Sequence, residues 1–298
     1  MKTNRSRSGV FDTKTWPSGP ERYQKYQIDG VPVMCATVPN SMKIYSWNML
    51  YRNRELDRAF DFIAQSDFDI FCLQEVPEDF LTRLKSLPSA IAFHVDTEKV
   101  FSTGVVPMYH VILSKHPLGA HGALPFIRPK QSVSLRARLF TMLMRPFHFA
   151  FVQNRNGLYA DVVLNGKTVR IFSLHLALTH PEERYREFEY AMTEHDPSHP
   201  AIVCGDFNIL EKPHITPLNW LLGGNMHDVF FYKRERLHIE KKFAEHSLRN
   251  PLRGEVTHSL SRSQLDHILV SDSFSVQKAS VLMDAYGSDH QPIRVEIS

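Results

Sequence analysis

No apolar run in this chain approaches the ~20 residues of a bilayer-spanning helix, so the sequence excludes an ordinary transmembrane protein. The opening segment, MKTNRSRSGVFDTKTWPSGP, is basic and polar and lacks the apolar core of a signal peptide. Cysteine is scarce. Cys35, Cys72 and Cys204 cannot form a complete disulfide framework, and Cys72 and Cys204 stand in apolar, strand-like runs where cysteine acts as a small buried residue. A reducing cytoplasm is the expected location. Internal repeats and low-complexity tracts are also lacking. The most informative absence is of negative charge. Between Lys99 and Ala160 there is no Asp or Glu, while Lys99, Lys115, Arg128, Lys130, Arg136, Arg138, Arg145 and Arg155 all fall in that stretch. Such an asymmetry points to an anionic partner; the bland alternative is a solvated surface whose cations face different ways.

What is present is the composition of a globular protein. Hydrophobic residues make up 43% and charged residues 22% of 298, enough chain for one large domain or two small ones. Residues 1–41 hold turn formers without periodicity and read as an N-terminal arm before a domain over 42–298. MKIYSWN alternates as a strand does, and RELDRAFDFIAQ carries Leu56, Ala59, Phe60 and Ile63 at helical spacing. FDIFCLQE reads as a buried strand and PEDFLTRLKSL as a helix opening on proline. YHVILS is a further strand, and LYADVVL and KTVRIFSLHL, joined by Asn165-Gly166, give a hairpin signal. PEERYREFEYAMTEH is helical, AIVCGDFN a buried strand and TPLNWLLG a short helix. LDHILVS, FSVQKASVLM and PIRVEI close the chain as strands. Strands in both halves with helices between them point to two packed sheets covered by helices.

Several of these apolar strands end in polar, metal-competent or proton-transferring groups. SWN ends in Asn48 and CLQE in Glu75; SLHL contains His175; GDFN gives Asp206 and Asn208; LDH gives Asp266; SDHQP gives Asp289 and His290. A strand sends residues i and i+2 to one side, so Asp206 and Asn208 can share a cleft. Oxygen donors Asn48, Glu75 and Asp289, with no cysteine among them, suit a hard divalent cation, Mg²⁺ or Mn²⁺. Histidines oriented by carboxylates suit proton transfer or oxyanion stabilisation, and together these groups make phosphoester hydrolysis the natural reaction class. His267 follows Asp266 and alternation turns it to the opposite face, toward a structural role.

In this order, WNM, LQEV, YHVILSKHPL, FSLHL, GDFN, LDHILVS and SDHQPI resemble the endonuclease/exonuclease/phosphatase, or deoxyribonuclease I-like, superfamily over residues 42–298. The resemblance implies an α/β (α+β) fold: a four-layer α/β/β/α sandwich of two mixed sheets flanked by helices. It also implies divalent-metal phosphodiesterase chemistry. Carried over, Glu75 is the principal metal ligand, with Asn48 and Asp289 completing the metal environment. Asp206 orients or deprotonates the attacking water, and Asn208 holds the phosphate or the nucleophile. His290, held in its tautomer by Asp266, stabilises the phosphoryl oxygens, and His175 binds a phosphate oxygen or assists the leaving group. Thr257 and His258 resemble the family's Thr-aromatic element. Tyr109 and His110 replace the Gly-Asn of many members, which puts the substrate contact there in question.

The histidine in SLHL argues against the abasic-site endonuclease branch and leaves nucleases, tyrosyl-DNA phosphodiesterases, deadenylases, sphingomyelinases and inositol-phosphate phosphatases. Substrate choice then rests on loops, and the segment from Gly119 to Gly157 is longer than a strand connection requires. Within it, RARLFTMLMRPFHFAF mixes Arg136, Arg138 and Arg145 with Phe140, Phe147, Phe149 and Phe151. Basic residues among aromatics can follow a nucleic-acid backbone while rings stack on bases, or can lie at a phospholipid surface; alternating phenylalanines can equally be one buried strand face. Nucleic acid is favoured over phospholipid, with Arg136, Arg138, Arg145, Tyr109 and Thr257 as substrate-side residues. A catalytically inactive binding module would lack equivalents of Glu75, Asp206 or His290, and all three are present.

Overall fold

The computed structural model describes residues 41–101, 104–126, 134–144, 151–164, 166–178, 181–222 and 224–298. The expected arm lies outside the described residues but for its last position, as do Arg145, Phe147, Phe149 and Asn165. MKIYSWN becomes β1 (Met42–Asn48) and IFCLQEV becomes β2 (Ile70–Val76), parallel neighbours at the centre of one sheet. Both are buried on two faces, which explains their nearly continuous apolar character. Ile44, Ile70 and Cys72 face one core, while Tyr45, Trp47, Phe71 and Leu73 face another.

The same design recurs in the second half. β8 (Lys167–His175) and β9 (Ala201–Asp206) run parallel at the centre of the second sheet, with Ile171, Ile202 and Cys204 on the inner side and Phe172, Leu174 and Val203 on the outer. The first sheet has seven strands, in the order β12 (Val276–Val281), β13 (Ile293–Ile297), β1, β2, β4 (Gly104–Ser114), β3 (Ala90–Phe101), β6 (Phe151–Gln153). The second has six: β10 (Leu248–Arg249), β11 (Asp266–Ser271), β9, β8, β7 (Asn156–Leu164), β5 (Leu118–Pro125). Their inner faces share one core. The outer face of the first packs on α1 (Leu56–Gln65) and α2 (Glu78–Leu84) through Ala59, Ile63, Phe80 and Leu81. That of the second packs on α4 (Pro181–Met192) and, following the short helices α5 (Pro217–Leu221) and α6 (Met226–Phe230) in the chain, on α7 (Tyr232–Glu245), through Phe188, Met192, Ile239 and Phe243. These are the four layers of the expected sandwich. Cys72 and Cys204 are free and buried.

The segment expected to be a long loop after Gly119 instead contains β5, α3 (Leu135–Leu143) and β6. In α3 the residues Leu135, Leu139, Met142 and Leu143 are all exposed, so an apolar stripe at helical spacing faces outward. Helix α7 has no counterpart in the sequence reading because two of its buried positions are charged: Glu235, whose Oε1 accepts from the fully buried Arg184 Nε at 2.6 Å, and Arg236.

One glycine is required by the backbone. Gly205 has φ +139°, and a Cβ there would lie 1.8 Å from the carbonyl oxygen of Leu174 on the neighbouring parallel strand. Gly205→Ala should therefore prise β8 from β9 or force a strained rotation, destabilising the fold by about 3–5 kcal/mol. Urea denaturation of the variant checks this; a midpoint matching the parent protein would show that the two strands accommodate the methyl group.

Candidate active site

The parallel pairs β1/β2 and β8/β9 deliver their carboxyl ends to a common place, where sheets commonly bind ligands. Asn48 ends β1, Glu75 lies near the end of β2, and His175 and Asp206 end β8 and β9 as register partners. Asp266, first residue of β11, pairs with Asp206 from the other side. Glu75 is aimed by a break in the β2–β4 register between Leu73 and Val76, where it takes a left-handed φ of +54°. Asn208 takes φ +53°, its N–H donating to Asp206 Oδ1 at 2.9 Å and its side-chain amide to the Leu176 carbonyl at 2.9 Å. The conformation is costly for Glu75 and is held by its surroundings, whereas asparagine adopts it readily.

The two imidazoles share one design. His290 Nδ1 lies 2.9 Å from Asp266 Oδ2, and its Nε2 lies 3.8 Å from Asp206 Oδ2. His175 Nδ1 lies 2.8 Å from Asp96 Oδ2, and its Nε2 lies 3.7 Å from the same Asp206 Oδ2 and 3.9 Å from Glu75 Oε1. Asn48 Nδ2 donates to that Asp206 oxygen at 3.1 Å. Burial works against a charge on either histidine, but the surrounding carboxylates prevail. Asp96, Asp206 and Glu75 push His175 up to about 9, and Asp266, Asp206 and Asp289 push His290 up to about 10. Both are biased toward the imidazolium form, and both aim Nε2 at Asp206 from different directions.

Asp96 and His110 are absent from the sequence reading as site residues. Asp96 sits in a register break of β3 between Val95 and Thr97, so period-2 alternation does not reveal that it is fully buried. Burial opposes its ionisation, but His175 and His110 hold its pKa far below the usual carboxylate range. His110, also fully buried, has Nδ1 3.1 Å from Ser173 Oγ and Nε2 3.0 Å from the Asn156 carbonyl; burial pulls it down to about 4 and keeps it neutral. The only sequence signal for this pair was the departure at Tyr109-His110. His258, named in the sequence with Thr257, also lies at the site. Its Nδ1 accepts the Ser261 N–H at 3.1 Å, and its Nε2 lies 3.6 Å from Asp289 Oδ2.

Among the described residues, His258, Asp289 and His290 have ligand atoms within 4.8 Å of one another, as do Asp206, Asp266 and His290. Glu75 is in neither group and reaches the cluster through His175. Asp266 Oδ1 and Asp96 Oδ1 are buried without a hydrogen-bond partner, and Glu75 meets its nearest cation, Lys99, at 3.5 Å. Carboxylate oxygens with negative charge in excess fit a hard divalent cation.

The substrate-side residues are not gathered in the same way. Tyr109 faces away from His110, into the outer core beside Phe93. Thr257 is fully buried, its hydroxyl accepting the Leu265 and Asp266 N–H groups at 3.0 Å, so it supports the Asp266 strand and offers no surface to a ligand. Arg136 is committed to the Trp220 and Gly224 carbonyls at 2.7 and 2.9 Å and lies over the Trp220 ring; Arg138 is exposed on α3. His267 stacks on Phe207 and meets Arg236 Nη1 at 2.7 Å, on the face opposite Asp266 as expected.

A family model described as the endonuclease/exonuclease/phosphatase family matches residues 45–290. No curated protein sequence matches. Solved structures similar to this chain include an endonuclease/exonuclease/phosphatase from Beutenbergia cavernae, at 17% identity over 87% of this chain and 71% of that one, TM-score 0.59. The human nocturnin catalytic domain with bound sulfate matches at 15% identity over 87% and 93% of the two chains, TM-score 0.55. The D. rerio protein TDP2 complexed with a single-strand DNA product matches at 14% identity over 87% and 99%, TM-score 0.56.

Proposed function

Because the chain belongs to the endonuclease/exonuclease/phosphatase family, we propose that it is a divalent-metal-dependent phosphoester hydrolase acting on a nucleic acid or nucleotide-linked substrate. The observation that carries this reading is the convergence of both histidine Nε2 atoms on Asp206 Oδ2, at 3.7 and 3.8 Å. Glu75, with Asn48 and Asp289, would hold Mg²⁺ or Mn²⁺, which supplies charge neutralisation at the phosphoryl group and a more acidic bound water. Asp206 orients the attacking water and takes its proton as the new P–O bond forms. His290, aligned by Asp266, donates a charged N–H to a phosphoryl oxygen. His175, aligned by Asp96, donates its Nε2 proton to the leaving oxygen as the old P–O bond breaks. Asn208, fixed by its left-handed backbone, presents its remaining amide hydrogen to the phosphate.

The acid-free stretch from Lys99 to Ala160 and the single-strand DNA product held by D. rerio TDP2 support a nucleic-acid substrate. The exposed Leu135, Leu139, Met142 and Leu143 of α3 favour a phospholipid instead, although no helix among the described residues is long and apolar enough to cross a membrane. Purified protein should cleave DNA or RNA with Mg²⁺, stop when the metal is chelated, and recover with Mg²⁺ or Mn²⁺. Metal-dependent hydrolysis confined to sphingomyelin vesicles would move the substrate to lipid, and no hydrolysis of any of these would overturn the reading.

A further inference from the structure

Beside Glu75, and apart from the His–Asp arrangement, lies a cavity of about 460 Å³, within the size range of small-molecule sites. Tyr51, Pro77, Val106 and Pro107 form apolar walls, with Glu78 and Asp79 at the edge. It adjoins the proposed phosphoryl site directly, since the Tyr51 N–H donates to Glu75 Oε2 at 3.3 Å. Lys99 links the two: its Nζ is 3.5 Å from the Tyr51 ring centroid and 3.5 Å from Glu75 Oε2. Arg52 lies over the same ring at 5.3 Å. The Tyr51 hydroxyl is buried without a hydrogen-bond partner. Asp79 Oδ1 is engaged by the Phe80 N–H at 2.9 Å, whereas the Glu78 carboxylate has no hydrogen-bond partner among the described residues.

Charge orders this surface. The cations lie toward Glu75, where a sugar–phosphate chain would leave the reacting phosphorus; the carboxylates edge the cavity itself and would repel a second phosphate. A flat, uncharged ring that offers N–H groups suits the cavity: proline and tyrosine surfaces pack on its faces, and a carboxylate accepts from its edge. Among nucleobases, guanine presents N1–H and N2–H side by side, matching the two oxygens of one carboxylate. Uracil flanks its single N–H with carbonyl oxygens that a carboxylate repels. We infer that this cavity is a nucleobase subsite selective for guanine, with Glu78 accepting from N1–H and N2–H and Tyr51 supplying the ring contact. The inference takes the location of the phosphate from the proposed phosphoesterase reading, while base binding itself is independent of turnover.

Equilibrium binding of guanosine 5′-monophosphate, uridine 5′-monophosphate and ribose 5-phosphate to the full chain, by titration calorimetry with and without Mg²⁺, tests it. The guanine nucleotide should bind about tenfold more tightly than the uracil nucleotide, the worth of one bidentate pair. Glu78→Gln, a surface change on α2, should abolish that preference, and Tyr51→Leu should weaken both nucleotides toward the level of ribose 5-phosphate. Thermal melts show that each variant is folded. Equal affinity for the three ligands, no binding of the guanine nucleotide, or a preference that survives Glu78→Gln overturns the subsite. Hydrolysis of bis(4-nitrophenyl) phosphate, which carries no base, reports separately on the phosphoesterase reading: its absence alongside a guanine preference would defeat that reading and leave the subsite standing.

Discussion

Asp206→Asn should reduce turnover by about 10²–10⁴-fold while leaving substrate binding nearly unchanged. The substitution preserves size and can retain the Asn208 N–H contact at Oδ1, but it removes the charge that draws a proton from water. It also turns the acceptor Oδ2, which now faces Asn48 Nδ2 and both histidine Nε2 atoms, into an amide donor opposite three donors. Asp206 is one of the carboxylates that raise both histidines, so the variant's rate should fall off at lower pH on the alkaline side than the parent's. Glu75→Gln should behave differently. It removes a charged ligand and keeps the other oxygen donors, so its deficit should shrink at high Mg²⁺ or with Mn²⁺. Steady-state rates across a metal titration separate the two, and near-parental turnover of Asp206→Asn at saturating metal would remove it from the role of base.

The sequence carried the central strands and the site residues at their ends for the same reason. β1, β2, β8, β9 and β11 are buried on both faces, so their apolar runs are unbroken, and the polar residues that end them stand out against that background. Legibility fails where burial and polarity coincide. In α7 the inward positions include Glu235 and Arg236, so no apolar stripe marks the helix. In β3 the break at Asp96 disrupts alternation and hides a buried carboxylate among His94, Thr97, Glu98 and Lys99. Register breaks of this kind are set by the partner strand, which a local window does not contain. The same limit applies to Arg136: its count in a basic stretch pointed outward to an anion, whereas its contacts with the Trp220 and Gly224 carbonyls depend on a segment about 80 residues away.

Asp96→Asn should cost about 10²–10⁴-fold in turnover on substrates with a poor leaving group, although Asp96 touches neither water nor phosphate in the proposed chemistry. Its Oδ2 holds His175 Nδ1 at 2.8 Å, and its charge is foremost among the influences that overcome burial and raise that histidine to about 9. Without that charge burial weighs more heavily, as it does for the neighbouring His110, which lies near 4. The sign follows directly. In the parent protein His175 holds its proton until the pH rises through about 9; in the variant that loss moves to lower pH. The deficit should therefore grow from acidic to neutral pH, and it should be smaller for a 4-nitrophenyl ester, whose leaving oxygen departs without a proton. A purely structural Asp96 would lower the melting temperature and depress all substrates alike. Rates on paired good and poor leaving groups across pH 5–9 decide between these outcomes, and a deficit independent of both pH and leaving group would exclude His175, positioned by Asp96, as the acid.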